Sequence, residues 1–134
     1  MMTAEQVRAV LESLSPTQEK VDLAVKTAVE TVQPSRVIIF GSWARGQAKW
    51  DSDVDLAVVL PDSAESVLAE IRQRLRRELS EVPMTIDLVL ATEGHLAQFR
   101  ESVNSIYYNI VKDGKVAYEQ HPADASANTD PQGR

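Results

Sequence analysis

Two carboxylates open an apolar strand: Asp53-Val54-Asp55 is followed at once by Leu56-Ala57-Val58-Val59-Leu60. In extended chain, alternate side chains leave the same face, so Asp53 and Asp55 project together, about 7 Å apart along the strand. Aspartate is depleted from strands, and two like charges held close repel unless a cation lies between them. Asp51, Ser52 and Asp53 also read as a polar turn ahead of a strand. A turn does not explain Asp55, which lies inside the apolar run, nor Asp87 in Ile86-Asp87-Leu88-Val89-Leu90. An unpaired buried carboxylate is costly. Arginines could neutralise both, but convergence of the three acids on a hard divalent cation explains the pattern better.

Just upstream stands Phe40-Gly41-Ser42-Trp43-Ala44-Arg45-Gly46, after the short apolar run Val37 to Phe40. Glycine lets backbone N–H groups approach a phosphate closely, and the Ser42 hydroxyl adds a donor. Arg45 can reach the same anion with a forked guanidinium. Alone, this segment reads first as a strand-to-helix turn with a capping serine. Joined to the acids, it suits a nucleotide whose phosphates carry magnesium.

At 134 residues the chain predicts one domain and leaves no room for a second sizeable one. Its net charge of −6 argues against non-specific wrapping of nucleic acid, which rests on cation–phosphate contacts. A basic protein partner fits that sign. With no cysteine, disulfides and thiolate metal sites are excluded. The longest unbroken apolar run, Leu56 to Leu60, is far short of a bilayer span, and no secretory signal pattern opens the chain. The expected compartment is the cytoplasm.

Along the chain, Thr3 and Gln6 form a capping box for a first helix striped by Val7, Val10, Leu11 and Leu14. Ser15-Pro16 is read as the start of a second helix that ends before Pro34. Strands are predicted at Val37–Phe40, Val54–Leu60 and Thr85–Leu90, with an edge strand at Lys115–Glu119. Asp62 and Glu65 are read as the cap of a third helix. Thr92 is read as the cap of a fourth, running past Leu96, Phe99, Val103, Ile106 and Ile110 to Gly114. The expected organisation is a domain over 1–119, with N-terminal helices at 3–33, a core at 35–119, and a disordered tail at 120–134. The element order is α/β (α+β), a small sheet of three or four strands with helices packed on it.

Gly41-Ser42, ten residues, then Asp53-x-Asp55 is a spacing that resembles the polymerase-beta-like nucleotidyltransferases. The fuller Gly41-Ser42-x-Ala44-Arg45-Gly46 with Ser52-Asp53-x-Asp55-Leu56 resembles their smallest branch, the minimal nucleotidyltransferase domains. The resemblance covers residues from about 20 to 119. It implies a short mixed sheet flanked by helices, Mg²⁺ (two ions) on Asp53, Asp55 and Asp87, and triphosphate binding by Gly41 and Ser42. Arg45 matches the family arginine, as a phosphate contact or as a brace of the loop. The implied reaction is attack of a hydroxyl on the α-phosphorus of ATP, with Asp87 placed to take the proton.

Larger relatives carry a second domain for the acceptor, for which a chain of 134 residues is expected to have no room. Minimal domains are commonly paired with a helical HEPN ribonuclease toxin, in some cases transferring AMP to a toxin tyrosine. The resemblance therefore implies a HEPN-type partner and an antitoxin role. The alternatives are an antitoxin that neutralises by binding alone, and a transferase acting on a small molecule such as an aminoglycoside. Trp43 and Trp50 are read as loop braces, and Arg72, Arg74, Arg76 and Arg77 as a solvated face salt-bridged through Glu70. His95 and His121 lack metal-ligand spacing and are assigned no role.

Overall fold

The apolar run after Asp55 becomes an inner strand. In the structure, a computed structural model that describes residues 1–121, β1 (Arg36–Phe40) pairs antiparallel with β2 (Val54–Leu60). β3 (Ile86–Thr92) runs parallel on the other side of β2, and β4 (Lys115–Glu119) runs antiparallel beside β1. The expected mixed sheet therefore has four strands, in the order β3-β2-β1-β4. Every residue of β2 except Asp55 is buried, because helices cover both faces.

Alternation along β2 feeds two cores. Val54, Leu56, Val58 and Leu60 pack with Val37 and Ile39 under α2 (Gln18–Val32) and α4 (Leu68–Leu79). On the opposite face Ala57, Val59, Ile38 and Phe40 pack against Leu96 of α5 (Glu93–Phe99) and Ile110 of α6 (Ile106–Asp113). One clamp ties β1 to α5. Arg36 Nη2 donates to Glu93 Oε1 at 2.7 Å, Arg36 Nε to Oε2 at 3.0 Å, and Ser35 Oγ to Oε2 at 2.8 Å.

The capping box is present: Gln6 N–H donates to the Thr3 hydroxyl, and Thr3 N–H to Gln6 Oε1, at the head of α1 (Ala4–Glu12). Other boundaries differ. Thr17, not Ser15, caps α2, accepting from Lys20 N–H. The Lys20 ammonium meanwhile donates to the carbonyls of Ser13 and Ser15, which serves the turn between the two helices. Asp62–Val67 is a 3₁₀ segment without a side-chain cap, and α4 begins only at Leu68. The would-be capping residues are engaged elsewhere, Asp62 Oδ1 accepting from Gly94 N–H and Glu65 pairing with His95 at 3.2 Å. Thr92 does cap α5. The predicted fourth helix, however, breaks after Phe99 and restarts at Ile106, where Ser105 accepts from Tyr108 N–H and donates to the Phe99 carbonyl. Gly114 closes α6 in extended conformation, close against Ile110 and Ile38, where a Cβ would not fit.

None of the four arginines on α4 makes an ion pair among the described residues, so the expected Glu70 bridge is not formed. Of the predicted tail, Gln120 N–H donates to the Ser35 carbonyl at 2.8 Å, and 122–134 lie outside the described residues. Among the described residues no helix is long and apolar enough to cross a membrane.

Candidate active site

Phe40, the last residue of β1, pairs with Asp55, and Asp55 pairs with Asp87 across the parallel ladder. Register thus brings the end of β1 and the starts of β2 and β3 to one end of the sheet. Asp55 shares a face with Ala57 and Val59, and Asp87 with Val89, so both acids lie on the α5–α6 side. Asp55 is half-buried, whereas Asp53 and Asp87 are exposed. The expectation that Asp87 is buried is corrected: Val89, one step further along this face, is packed on the core, and Asp87 lies beyond its edge.

Burial pushes the Asp55 carboxyl up to about 6, and the charges of Asp87 and Asp53 act in the same direction, as does a hydrogen bond with Asp87. Arg45 pulls the other way but does not win. Two carboxyl groups share a hydrogen bond only when one of them holds a proton. Negative charge is thus crowded round Asp55, with Arg45 the cation that acts on it.

α3 (Gly41–Ala44) is a single turn, entered through Gly41 at φ +75° and left through Gly46 at φ +72°. Arg45 N–H donates to the Gly41 carbonyl at 3.1 Å and Gln47 N–H to the Ser42 carbonyl at 2.8 Å, closing the loop on itself. A side chain at 41 would overlap Asp55 Oδ2, so glycine is what lets turn and acid meet. The Ser42 hydroxyl has no hydrogen-bond partner among the described residues. Arg45 is tied down, with Nη1 3.5 Å from Asp113 Oδ2 and Nε donating to Gln47 Oε1 at 3.1 Å. It braces the turn to the end of α6 while its charge acts on Asp55.

Among the described residues no three His, Cys, Asp or Glu side chains stand together as a finished ion site. The donor chemistry nonetheless suits a hard divalent cation: the acids offer oxygen donors only, and Asp53 and Asp87 crowd Asp55 with like charge. Asp53, Asp55 and Asp87 are the groups that would hold it. The groove of about 440 Å³ beside the turn is lined by Trp43, Ala44 and Gly46 with residues of α2 and β4, and by none of Asp53, Asp55 and Asp87. Trp43 packs on the core as a brace should, but Trp50 does not; it is 54% exposed. Sequence reasoning also missed Asp113, three residues past Ile110, the last of the apolar stripe, and no local signal marked it.

No curated protein matches the chain. Among solved structures, it is similar to a crystal structure at 1.40 Å of a "putative nucleotidyltransferase" from Sulfolobus solfataricus. Identity is 18%, the TM-score is 0.54, and the match covers 89% of this chain and 91% of that one, a likeness of fold. Residues 19–123, most of the chain and the whole sheet, match the family described as polymerase beta, nucleotidyltransferase. With the fold and the sequence match in agreement, the chain belongs to the polymerase beta nucleotidyltransferase family.

Proposed function

We propose that this chain is a Mg²⁺-dependent nucleotidyltransferase that moves AMP from ATP to a hydroxyl of a partner protein. The partner in this reading is a HEPN-type ribonuclease toxin, the acceptor a toxin tyrosine, and the role that of an antitoxin. The observation that carries the transfer is the Asp55–Asp87 pair under Gly41, negative charge gathered where a phosphate-binding turn begins.

In this reading Gly41 and Ser42 bind the triphosphate, and Arg45, already beside Asp55, offsets its charge. Asp53 and Asp55 with Asp87 hold magnesium, which when bound lowers the pKa of the attacking hydroxyl and neutralises the leaving oxygens. The acceptor oxygen bonds to the α-phosphorus, the bond to pyrophosphate breaks, and Asp87, exposed to an incoming group, takes the proton. A protein acceptor is supported by two features: the acids line none of the grooves described beside the turn, and the chain's net charge of −6 suits a basic partner.

Incubation with ATP, Mg²⁺ and the product of the neighbouring gene tests this by intact mass. The expected result is one or more AMP adducts on the partner, absent with Asp53→Ala. Equal protection by wild type and Asp53→Ala, without an adduct, rules transfer out. A binding-only antitoxin is the second reading, favoured by the lack of a finished ion site among the described residues. Calorimetry with MgATP separates the two, since the inert reading expects no heat of binding.

A further inference from the structure

α1 is an amphipathic helix whose apolar side is left exposed among the described residues. It buries none of its residues. Its stripe of Val7, Val10 and Leu11, continued by Leu14, is between 39% (Leu14) and 49% (Val10) exposed. Exposed Trp50 extends this surface: Leu11, Leu14 and Trp50 line a cleft of about 90 Å³ with Asp51, Ser52 and Thr85. The cleft lies at the chemical end of the sheet, since Thr85 accepts from Val54 N–H at 2.9 Å just ahead of Asp55 and Asp87. The cleft and the acids thus share one end of the sheet.

Residues 122–134 contain no large apolar side chain that could cover the stripe. A second copy is opposed by charge, because self-pairing would gather Asp51 and Asp53 with their counterparts between two chains of net charge −6. An anionic membrane is opposed too, because the polar face of α1 carries Glu5 and Glu12 against the single Arg8. A stripe at helical spacing accepts another helix laid along it, with one aliphatic side chain filling the cleft.

We propose that the apolar face of α1 and the Trp50 cleft form the docking surface for the acceptor protein. The occupant is an amphipathic helix whose apolar stripe is edged with lysine and arginine. This rests on the reading of the acceptor as a protein, and it adds where and how that protein is held.

The test is a titration of the full chain, without nucleotide or magnesium, with a leucine–lysine amphipathic helical peptide, followed by tryptophan emission. A saturable blue shift is expected, absent in Trp50→Phe and weakened at least about tenfold in the Leu11→Glu/Leu14→Glu double variant. That variant should melt like wild type, because Leu11 and Leu14 are both exposed. Equal binding of a leucine–glutamate peptide, or full binding by the double variant, overturns the proposal. So does sedimentation showing a wild-type dimer that the double variant dissolves, which would make a second copy the occupant. The two readings fail separately: docking without any AMP adduct removes the transfer reading alone, and AMP transfer at full rate by the double variant removes the docking surface alone.

Discussion

Gly41 and Asp55 occupy one another's space: a Cβ on residue 41 would overlap Asp55 Oδ2 and lie 2.9 Å from its Cγ. The residue also holds φ +75°, where side chains are strained. Gly46 has a similar φ, +72°, but open space around its missing Cβ. Gly41→Ala should therefore destabilise by about 2–3 kcal/mol and displace the Asp55 carboxylate, whereas Gly46→Ala should cost only about 1 kcal/mol. Denaturant melts of the two variants check the ordering, and equal losses would mean that strain alone is at work.

The elements legible in the sequence are those whose cause is local. β2 and β4 begin and end where the alternation and Pro61 or Gly114 put them, and the Thr3–Gln6 box needs only residues of its own turn. The misreadings have partners far along the chain. Asp62 is drawn to Gly94 and Glu65 to His95, contacts that a local cap cannot foresee. At the break over 100–105, Ser102, Asn104 and Ser105 interrupt the apolar run, while Val103 and Ile106 keep helical spacing across it and mask the interruption. The acids were found from their unlikeness to strand residues. That Asp87 is exposed depends on where α5 and α6 stop covering the sheet, which no local pattern states.

Stability should carry the mark of Asp55. Its folded-state carboxyl, about 6, lies above the ordinary 3.8, so between those values the folded chain binds more protons than the unfolded one. Stability from this group is full below about pH 4 and is lost as pH rises through about 6. Asp55→Asn should therefore melt higher than wild type at pH 7, and the two curves should converge below pH 4. Added Mg²⁺ at pH 7 should raise the wild-type melting temperature and leave Asp55→Asn unmoved. A variant less stable than wild type at pH 7 would contradict the charge crowding.

Glu93 titrates in the opposite sense. Burial pushes its carboxyl up, but the hydrogen bonds from Arg36 and Ser35 and the Arg36 charge outweigh this and hold it below the ordinary 4.5. Its contribution is thus present above that value and lost as pH falls through the lower folded one. Glu93→Gln should cost about 1 kcal/mol at pH 7, solvent screening limiting a clamp that is partly exposed. The difference should shrink as pH falls below 4.5, so melts taken stepwise from pH 7 into acid decide it; a loss that does not shrink at any pH where the protein stays folded would trace to packing rather than charge.

Asp87 acts on Asp55 through both its charge and a shared hydrogen bond, each raising the Asp55 carboxyl. Asp87→Asn removes the charge, so Asp55 should titrate below 6, closer to 3.8, as followed by carboxyl-carbon NMR. Burial and Asp53 remain, so the shift should be partial. Because Asp87 is exposed, the substitution should leave the melting temperature within a few degrees of wild type. If Asp87 takes the acceptor's proton, AMP transfer should fall by about 10²–10⁴ while the KM for ATP changes little. An unchanged Asp55 titration would separate the two carboxyls and leave the register of β2 and β3 without chemical consequence.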